Sequence, residues 1–177
     1  MTLNGKRGPG VVVILGIDPG YAIVGYGAIS YHRGAYASLG YGAVLTEADT
    51  DFARRLSLIY DNMREMIAQC KPDALAIEKL FFYSNQTTAI GVAEARGVIL
   101  LAASQAGVPI FEYTPLQVKV AVTGYGHALK PQVMEMTRRL LKLKETPKPD
   151  DAADALAIAI CHAHASGSSL RRNIINR

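Results

Sequence analysis

The chain has 177 residues, of which 50% are hydrophobic and 19% charged, a composition that excludes a disordered chain and is typical of one compact domain. Lysine and arginine outnumber aspartate and glutamate by 19 to 15, a modest excess that favours an anionic partner without identifying it. No apolar stretch approaches the length of a membrane span. Cys70 and Cys161 form no C-x-x-C pair, so the sequence indicates neither a disulfide framework nor a zinc site and favours a reducing cytoplasm.

Three strands are predicted in the first part of the chain. Residues 1–10 show no apolar period and are expected to form a flexible N-terminal extension. Residues 11–17 form a continuous apolar run, typical of a central strand, which Asp18-Pro19-Gly20 ends in a turn. Residues 25–30 and 36–45 alternate in character and are predicted to be antiparallel neighbours of that strand.

Helices and strands are then predicted to alternate. Apolar residues at three- and four-residue steps indicate a helix over 51–70, and a short buried strand over 74–77 ends in Glu78. Residues 87–105 are apolar with little charge, so this helix is predicted to be largely buried. A strand over 108–113 and helices over 115–123, 131–143 and 150–163 follow, and residues 166–177 are expected to form a flexible basic tail.

This order of elements predicts an α/β fold. Five strands form a mixed sheet, and the helices cover its faces. Residues 11–165 are expected to make up the single folded domain, because no internal repeat divides them.

Four carboxylates stand out by their positions. Asp18 and Glu78 each end a hydrophobic strand, where an unpaired charge is expensive to bury. Asp151 and Asp154 are three residues apart, so a helix places them on one face. An acidic helix N-terminus is the plainer interpretation of that pair taken alone. Together, the four positions favour a bound cation.

The donor types narrow the choice of cation. Carboxylate oxygens without cysteine or histidine favour Mg²⁺ or Mn²⁺ over zinc. Two ions about 3.5 to 4 Å apart explain why several carboxylates are needed, and they suit hydrolysis of a phosphodiester. In this hypothesis Asp18 bridges both ions, Glu78 holds one, and Asp151 with Asp154 holds the other.

The four carboxylates belong to three short motifs, which are Leu-Gly-Ile-Asp-Pro-Gly at 15–20, Ala-Ile-Glu at 76–78 and Asp-Ala-Ala-Asp-Ala-Leu-Ala at 151–157. Further motifs are Glu-Ala-Arg-Gly at 94–97, Gln-Val-Lys at 117–119, Gly-Tyr-Gly-His at 124–127 and Lys-Pro-Gln-Val at 130–133. Together these motifs resemble the RuvC resolvases over residues 13–165. The extension before residue 11 and the additional Asp150 depart from the pattern, and the spacing to Asp154 favours Asp151 as the third ligand.

The resemblance implies a ribonuclease-H-like fold and a crossover junction endodeoxyribonuclease. Such an enzyme resolves Holliday junctions by paired symmetric nicks in homologous recombination and DNA repair. The resemblance also implies a homodimer with two Mg²⁺ per subunit, for which Mn²⁺ substitutes, and cooperation with the branch-migration proteins RuvA and RuvB. The implied catalytic and metal-binding residues are Asp18, Glu78, Asp151 and Asp154.

Three further residues are candidates for DNA contact. Phe81 follows Glu78 at the step where the family places an aromatic, and it could stack on an unpaired base or simply pack in the core. Lys119 and Lys130 are expected to contact phosphates, although surface lysines also serve solubility. The role of the basic residues between 138 and 148 stays open. Cys161, His162 and His164 are expected to pack or face solvent, since no second ligand pair accompanies them.

Two other functions compete with a nuclease. Asp-Pro-Gly after a strand also occurs in actin-like ATPases and sugar kinases, but those need a duplicated domain, for which this chain has no repeat. A module that binds branched DNA without cutting it is the other alternative, and the presence of all four carboxylates argues against it.

Overall fold

A computed structural model describes residues 8–80 and 86–175 and confirms the mixed five-stranded sheet. The strands lie in the order β3-β2-β1-β4-β5. Their bounds are β1 Val12–Asp18, β2 Ile23–His32, β3 Ala35–Leu45, β4 Ala74–Glu78 and β5 Ile110–Tyr113. Strand β1 pairs antiparallel with β2 and parallel with β4, and β4 pairs parallel with β5.

One predicted pairing is wrong. Strand β3 pairs antiparallel with β2 and lies at the edge of the sheet, instead of beside β1. The reason is the two-residue connection Arg33-Gly34, in which both residues have positive φ values of 48° and 88°. Such a turn folds the chain directly back on the strand it has just left.

In the part of the chain that the structure describes, five helices cover the two faces of the sheet. They are α1 Phe52–Cys70, α2 Gln86–Gln105, α3 Pro115–Thr123, α4 Lys130–Leu140 and α5 Asp150–Ile175. Because side chains alternate along a strand, Ile14 of β1 packs in a core with α3, α4 and α5, whereas Leu15 and Ile17 pack in a second core with α1 and α2. No helix in the described part of the chain is long and apolar enough to cross a membrane.

Helix α5 lies unusually close to the sheet. A side chain at Gly16 of β1 would overlap the carbonyl oxygen of Ala155, and one at Gly27 of β2 would lie 2.7 Å from Leu156. The inward residues of α5 are mostly alanines, which are fully buried. Small residues on both partners therefore let the helix backbone rest on the strands.

Three helices differ from their predicted form. Helix α5 continues to Ile175, past its predicted end at residue 163. Helix α4 ends at Leu140, because Lys142 adopts a left-handed φ of 53° and Leu143 N donates to Arg138 O at 2.9 Å. Helix α2 is not largely buried: Ile90 is 69% exposed and Leu101 is 49% exposed.

Candidate active site

Two parallel strands bring the first two carboxylates together. Asp18 is the last residue of β1 and Glu78 is the last residue of β4, and these strands are in register with Ile17 opposite Ile77. The carboxyl ends of neighbouring parallel strands meet at the same edge of a sheet. Asp18 and Glu78 accordingly line one cavity of about 640 Å³.

A glycine on β2 lets α5 deliver the other two carboxylates. Gly25 is the register partner of Asp18. A side chain at Gly25 would overlap the carbonyl oxygen of Asp151 and lie 2.9 Å from its Cβ. The first turn of α5 therefore rests on the strand beside Asp18, and Asp151 and Asp154 lie within electrostatic reach of it. The sequence carried a signal for this contact, since a glycine inside a strand often marks close approach of another backbone.

The carboxylates repel one another in a largely buried setting. Burial raises the pKa of Asp18 from 3.8 to about 7, and neighbouring negative charges add to the shift. In decreasing order these neighbours are Glu78, Asp154 and Asp151. Burial is also the main cause that raises the pKa values of Glu78 and Asp154. A site that resists negative charge in this way would be stabilised by a cation.

Lys130 supplies one positive charge at this position. Its Nζ lies 3.0 Å from Asp154 Oδ2 and 3.5 Å from Asp150 Oδ2. Burial alone would lower the pKa of Lys130, but the hydrogen bond to Asp154 and the charges of Asp154 and Asp150 raise it above its ordinary value. Asp150, whose position beside Asp151 made the third ligand ambiguous, thus faces Lys130.

The donor set fits a hard divalent cation, since it contains carboxylate oxygens only. In the described ranges 8–80 and 86–175, however, no three histidine, cysteine or acidic side chains already converge as a metal centre. Asp154 hydrogen-bonds Lys130 instead. Mutual repulsion among buried carboxylates accounts for side chains that are grouped without converging on one point.

Comparison with known proteins decides the family. The family model described as crossover junction endodeoxyribonuclease RuvC matches residues 14–162. The chain belongs to the RuvC family. Nucleases of this family are metal-dependent.

Individual RuvC proteins match over nearly the whole chain. The enzyme named crossover junction endodeoxyribonuclease RuvC from Fusobacterium nucleatum is 50% identical over 167 residues, covering 93% of this chain and 88% of the relative. The Brevibacillus brevis protein of the same name is 55% identical over 150 residues, covering 85% and 90%. A Thermus thermophilus RuvC structure in complex with Holliday junction substrate has a TM-score of 0.84 at 39% identity, covering 88% and 94%.

The remaining predictions for individual residues have different outcomes. Lys119 lies on α3, one helical turn after Pro115, which lines the cavity. Phe81 lies outside the described residues. His162 is buried, as expected for packing, with Nδ1 2.7 Å from the hydroxyl of Tyr113.

Part of the basic stretch is neutralised. Glu135 accepts from Arg138 Nε at 2.8 Å and from Arg139 Nε at 2.7 Å, as expected for charges three and four residues apart on a helix. The exposed residues Lys142, Lys144 and Lys148 follow in the connection to α5. Because one carboxylate faces two arginines, α4 keeps part of the surplus positive charge, and the lysines of the connection place the rest next to the N-terminus of α5.

Sequence reasoning missed the remaining wall of the cavity. Besides Asp18 and Glu78, it is lined by Pro19, Lys79, Leu80, Thr114, Pro115 and Leu116. Lys79 follows a predicted strand end and could have been found by that position. The residues at the start of α3 gave no such signal, because only the parallel pairing of β5 with β4 places them beside Glu78.

Proposed function

We propose that this protein binds a four-way DNA junction and hydrolyses one phosphodiester bond in each of two strands of like polarity, acting in homologous recombination and DNA repair. The observation that carries the proposal is the meeting of β1, β4 and the start of α5, where Asp18 and Glu78 line one cavity and Asp151 and Asp154 lie within electrostatic reach of Asp18, in a RuvC family member. The Thermus thermophilus relative, described in complex with Holliday junction substrate, supports the choice of a junction.

The proposed cofactor is Mg²⁺, two ions per subunit, with Mn²⁺ able to substitute. Asp18, Glu78, Asp151 and Asp154 would hold them, and all four side chains offer hard oxygen ligands. When bound, such a pair lowers the pKa of an attacking water and stabilises the oxygen that leaves phosphorus. The raised pKa of Asp18 supports this assignment, because a cation offsets the repulsion that raises it.

The chain's own cations complete the proposed site. Lys130 would orient the Asp154 carboxylate that it already hydrogen-bonds, and it would meet a phosphate of the strand in the cavity. Lys119 would contact a further phosphate and stabilise charge that develops at the scissile group. Phe81 is proposed to stack on an unpaired base at the junction centre.

A homodimer would suit the two-fold symmetry of the substrate. The exposed face of α2 is our proposed interface, since Ile90 and Leu101 are apolar side chains that neither core of the monomer covers. Gly97 lies between them, and a Cβ there would meet nothing within 4 Å, so another backbone has room to approach.

RuvA and RuvB are the proposed protein partners. A cytoplasmic location is part of this proposal, supported by Cys70 and Cys161, which are buried and are not joined in a disulfide.

The test compares a mobile four-way junction with a linear duplex of equal length, in Mg²⁺ or EDTA. We expect symmetric nicks that require Mg²⁺ and occur only in the junction. Asp18→Asn should reduce nicking to background while junction binding persists, because it removes a carboxylate and no phosphate contact. Asp61→Asn, at an exposed position on α1, is the matched control and should cut normally.

Two results would contradict the proposal. Normal nicking by Asp18→Asn would remove this carboxylate from the reaction. Junction binding by the unaltered protein without nicks in Mg²⁺ or Mn²⁺ would identify a binding module instead of a nuclease.

A further inference from the structure

Four exposed apolar side chains lie on α3 and on the loop that follows it. Leu116 is 58% exposed, Val120 48%, Tyr125 60% and Leu129 67%, and we call this set the apolar strip. Leu116 and Val120 are one turn apart on α3. The loop packs against them, since a Cβ at Gly126 would lie 2.6 Å from Leu116 Cδ1 and 3.4 Å from Val120 Cγ2. Leu116, Val120 and Tyr125 therefore belong to one region of the surface, and Leu129 ends the same loop, directly before α4.

One end of the apolar strip reaches the carboxylate site, and the other end adjoins in sequence a lysine that contacts it. Leu116 lines the cavity that Asp18 and Glu78 also line. At the other end, Leu129 directly precedes Lys130, whose Nζ contacts Asp154. A partner that covered the strip would therefore also cover the entrance to the site.

The loop presents Tyr125 on a fixed backbone. The hydroxyl of Thr123 donates to Lys119 O at 2.8 Å and accepts from Tyr125 N at 3.1 Å, so it links the loop to α3. Gly124 ends α3 with a left-handed φ of 75°, which turns the chain outward. The Tyr125 ring contacts His127, with ring centroids 5.6 Å apart, and its exposed remainder faces solvent.

Charge accompanies the apolar surface. Lys119 lies between Leu116 and Val120 in sequence, and Lys130 follows Leu129, whereas no acidic residue occurs from Tyr113 to Met134. An exposed apolar patch marks a binding surface, and an aromatic side chain between cations is the arrangement that binds single-stranded nucleic acid. A protein partner of acidic character would meet the same lysines, but it would close the cavity to substrate.

We propose that the apolar strip binds the bases and sugars of unpaired DNA nucleotides next to the scissile phosphate, with one base stacked on Tyr125. Lys119 and Lys130 neutralise the phosphates of the same strand. This inference rests on the proposed function, because it assigns the strip to the substrate of that reaction. The inference adds to the lysine–phosphate contacts an apolar contact with the bases, which does not depend on charge.

The test uses Tyr125→Ala, Tyr125→Phe and the control Tyr41→Ala, which removes a partly exposed tyrosine from edge strand β3. Binding to a four-way junction in EDTA is measured over a range of salt concentrations. We expect Tyr125→Ala to weaken binding about tenfold, within the range for a lost base stack, while Tyr125→Phe and Tyr41→Ala bind normally. The slope of log K against log salt should not change, whereas Lys119→Ala should reduce it by about one phosphate contact.

A spectroscopic readout identifies the stacked base. Junctions carry 2-aminopurine at the nucleotides on either side of the point of strand exchange. At the nucleotide that stacks on Tyr125, the fluorescence of the bound junction should be equally quenched with the unaltered protein and with Tyr125→Phe, and brighter with Tyr125→Ala, because a base that is unpaired but not stacked is less quenched. Leu129→Ala, at the most exposed position of the strip, provides a second variant with little packing to lose, and it should weaken binding to a smaller extent.

Several outcomes would overturn the inference. Unchanged affinity and quenching in Tyr125→Ala and Leu129→Ala would exclude DNA from the strip, as would a defect confined to self-association or to binding of RuvA or RuvB. Nicking by the unaltered protein separates the two proposals. If it nicks junctions and the strip variants bind normally, only the inference fails; if it neither binds nor nicks junctions, the proposed function fails as well.

Discussion

Helices α5 and α2 are both rich in small and apolar residues, yet the fold uses them differently. Helix α5 lies across the middle of the sheet, against glycines of β1 and β2, and its inward face is completely buried. Helix α2 packs on α1 through Ala95 and Ile99 and leaves Ile90 and Leu101 exposed. Apolar composition therefore indicates that a helix face will be covered, but it does not tell whether the cover comes from the same chain.

The largest effect is expected where α5 meets β2. Gly25→Ala places a methyl group against the backbone of Asp151, which cannot move without displacing the helix. Overpacking of this kind costs about 1 to 3 kcal/mol of unfolding free energy. Because the displaced turn carries Asp151 and Asp154, nicking should fall further than stability. Urea unfolding and junction cleavage measure the two effects, and unchanged values in both would mean that α5 does not need this close contact.

A substitution on the exposed face of α2 is expected to affect self-association of the protein instead of its folding. Leu101→Arg puts a charge on the proposed dimer interface, so we expect the protein to sediment as a monomer while its unfolding transition stays nearly unchanged. Leu58→Arg, at a comparably exposed position on α1, is the control and should leave the association state as it is. Both variants sedimenting like the unaltered protein would place the interface elsewhere.

The two helices also show what the sequence could predict. Strand ends and helix faces are local features, so the positions of Asp18, Glu78, Asp151 and Asp154 on their elements followed from periodicity. Contacts between distant segments were not accessible in this way. The ion pair of Lys130 with Asp154 joins α4 to α5, and no spacing in the sequence indicates it.

The same limit applies to the error on α2. The low charge of α2 predicted burial within the monomer. The free energy gained by burying apolar area is the same whether this chain or another molecule covers it, so the sequence does not distinguish the two cases. The sheet has room on that face for α1 and for one side of α2 only. Edge strand β3 was misplaced for a related reason, because the two-residue turn that pairs it with β2 outweighs the alternation that suggested contact with β1.

A smaller effect, on the pH dependence of stability, is expected from His162 on the buried face of α5, far from Asp151. Burial lowers the pKa of His162, so the unfolded chain binds a proton more readily than the folded one. The stability contributed by neutral His162 is therefore complete above its unfolded pKa near 6.5 and declines as the pH falls through that value. Urea unfolding between pH 7.5 and 5.5 should show this decline relative to His162→Gln. Comparison with the variant is needed because Asp18, whose pKa is raised, contributes with the opposite sign.

The smallest change in stability should come from a substitution at Gly97 on α2. Its sign should be opposite to that at Gly25, because an added methyl group is expected to stabilise the protein at Gly97 and to destabilise it at Gly25. A Cβ at Gly97 meets nothing within 4 Å in the monomer, so Gly97→Ala should raise the unfolding free energy by up to about 1 kcal/mol through helix propensity. Urea unfolding at low protein concentration measures the stability of the monomer. Sedimentation at higher protein concentration measures self-association. Greater stability with weaker self-association would show that the neighbouring copy approaches α2 at Gly97. Greater stability with unchanged association would confine the interface to the apolar side chains on either side, whereas a loss of monomer stability would mean that this face of α2 is already covered by its own chain.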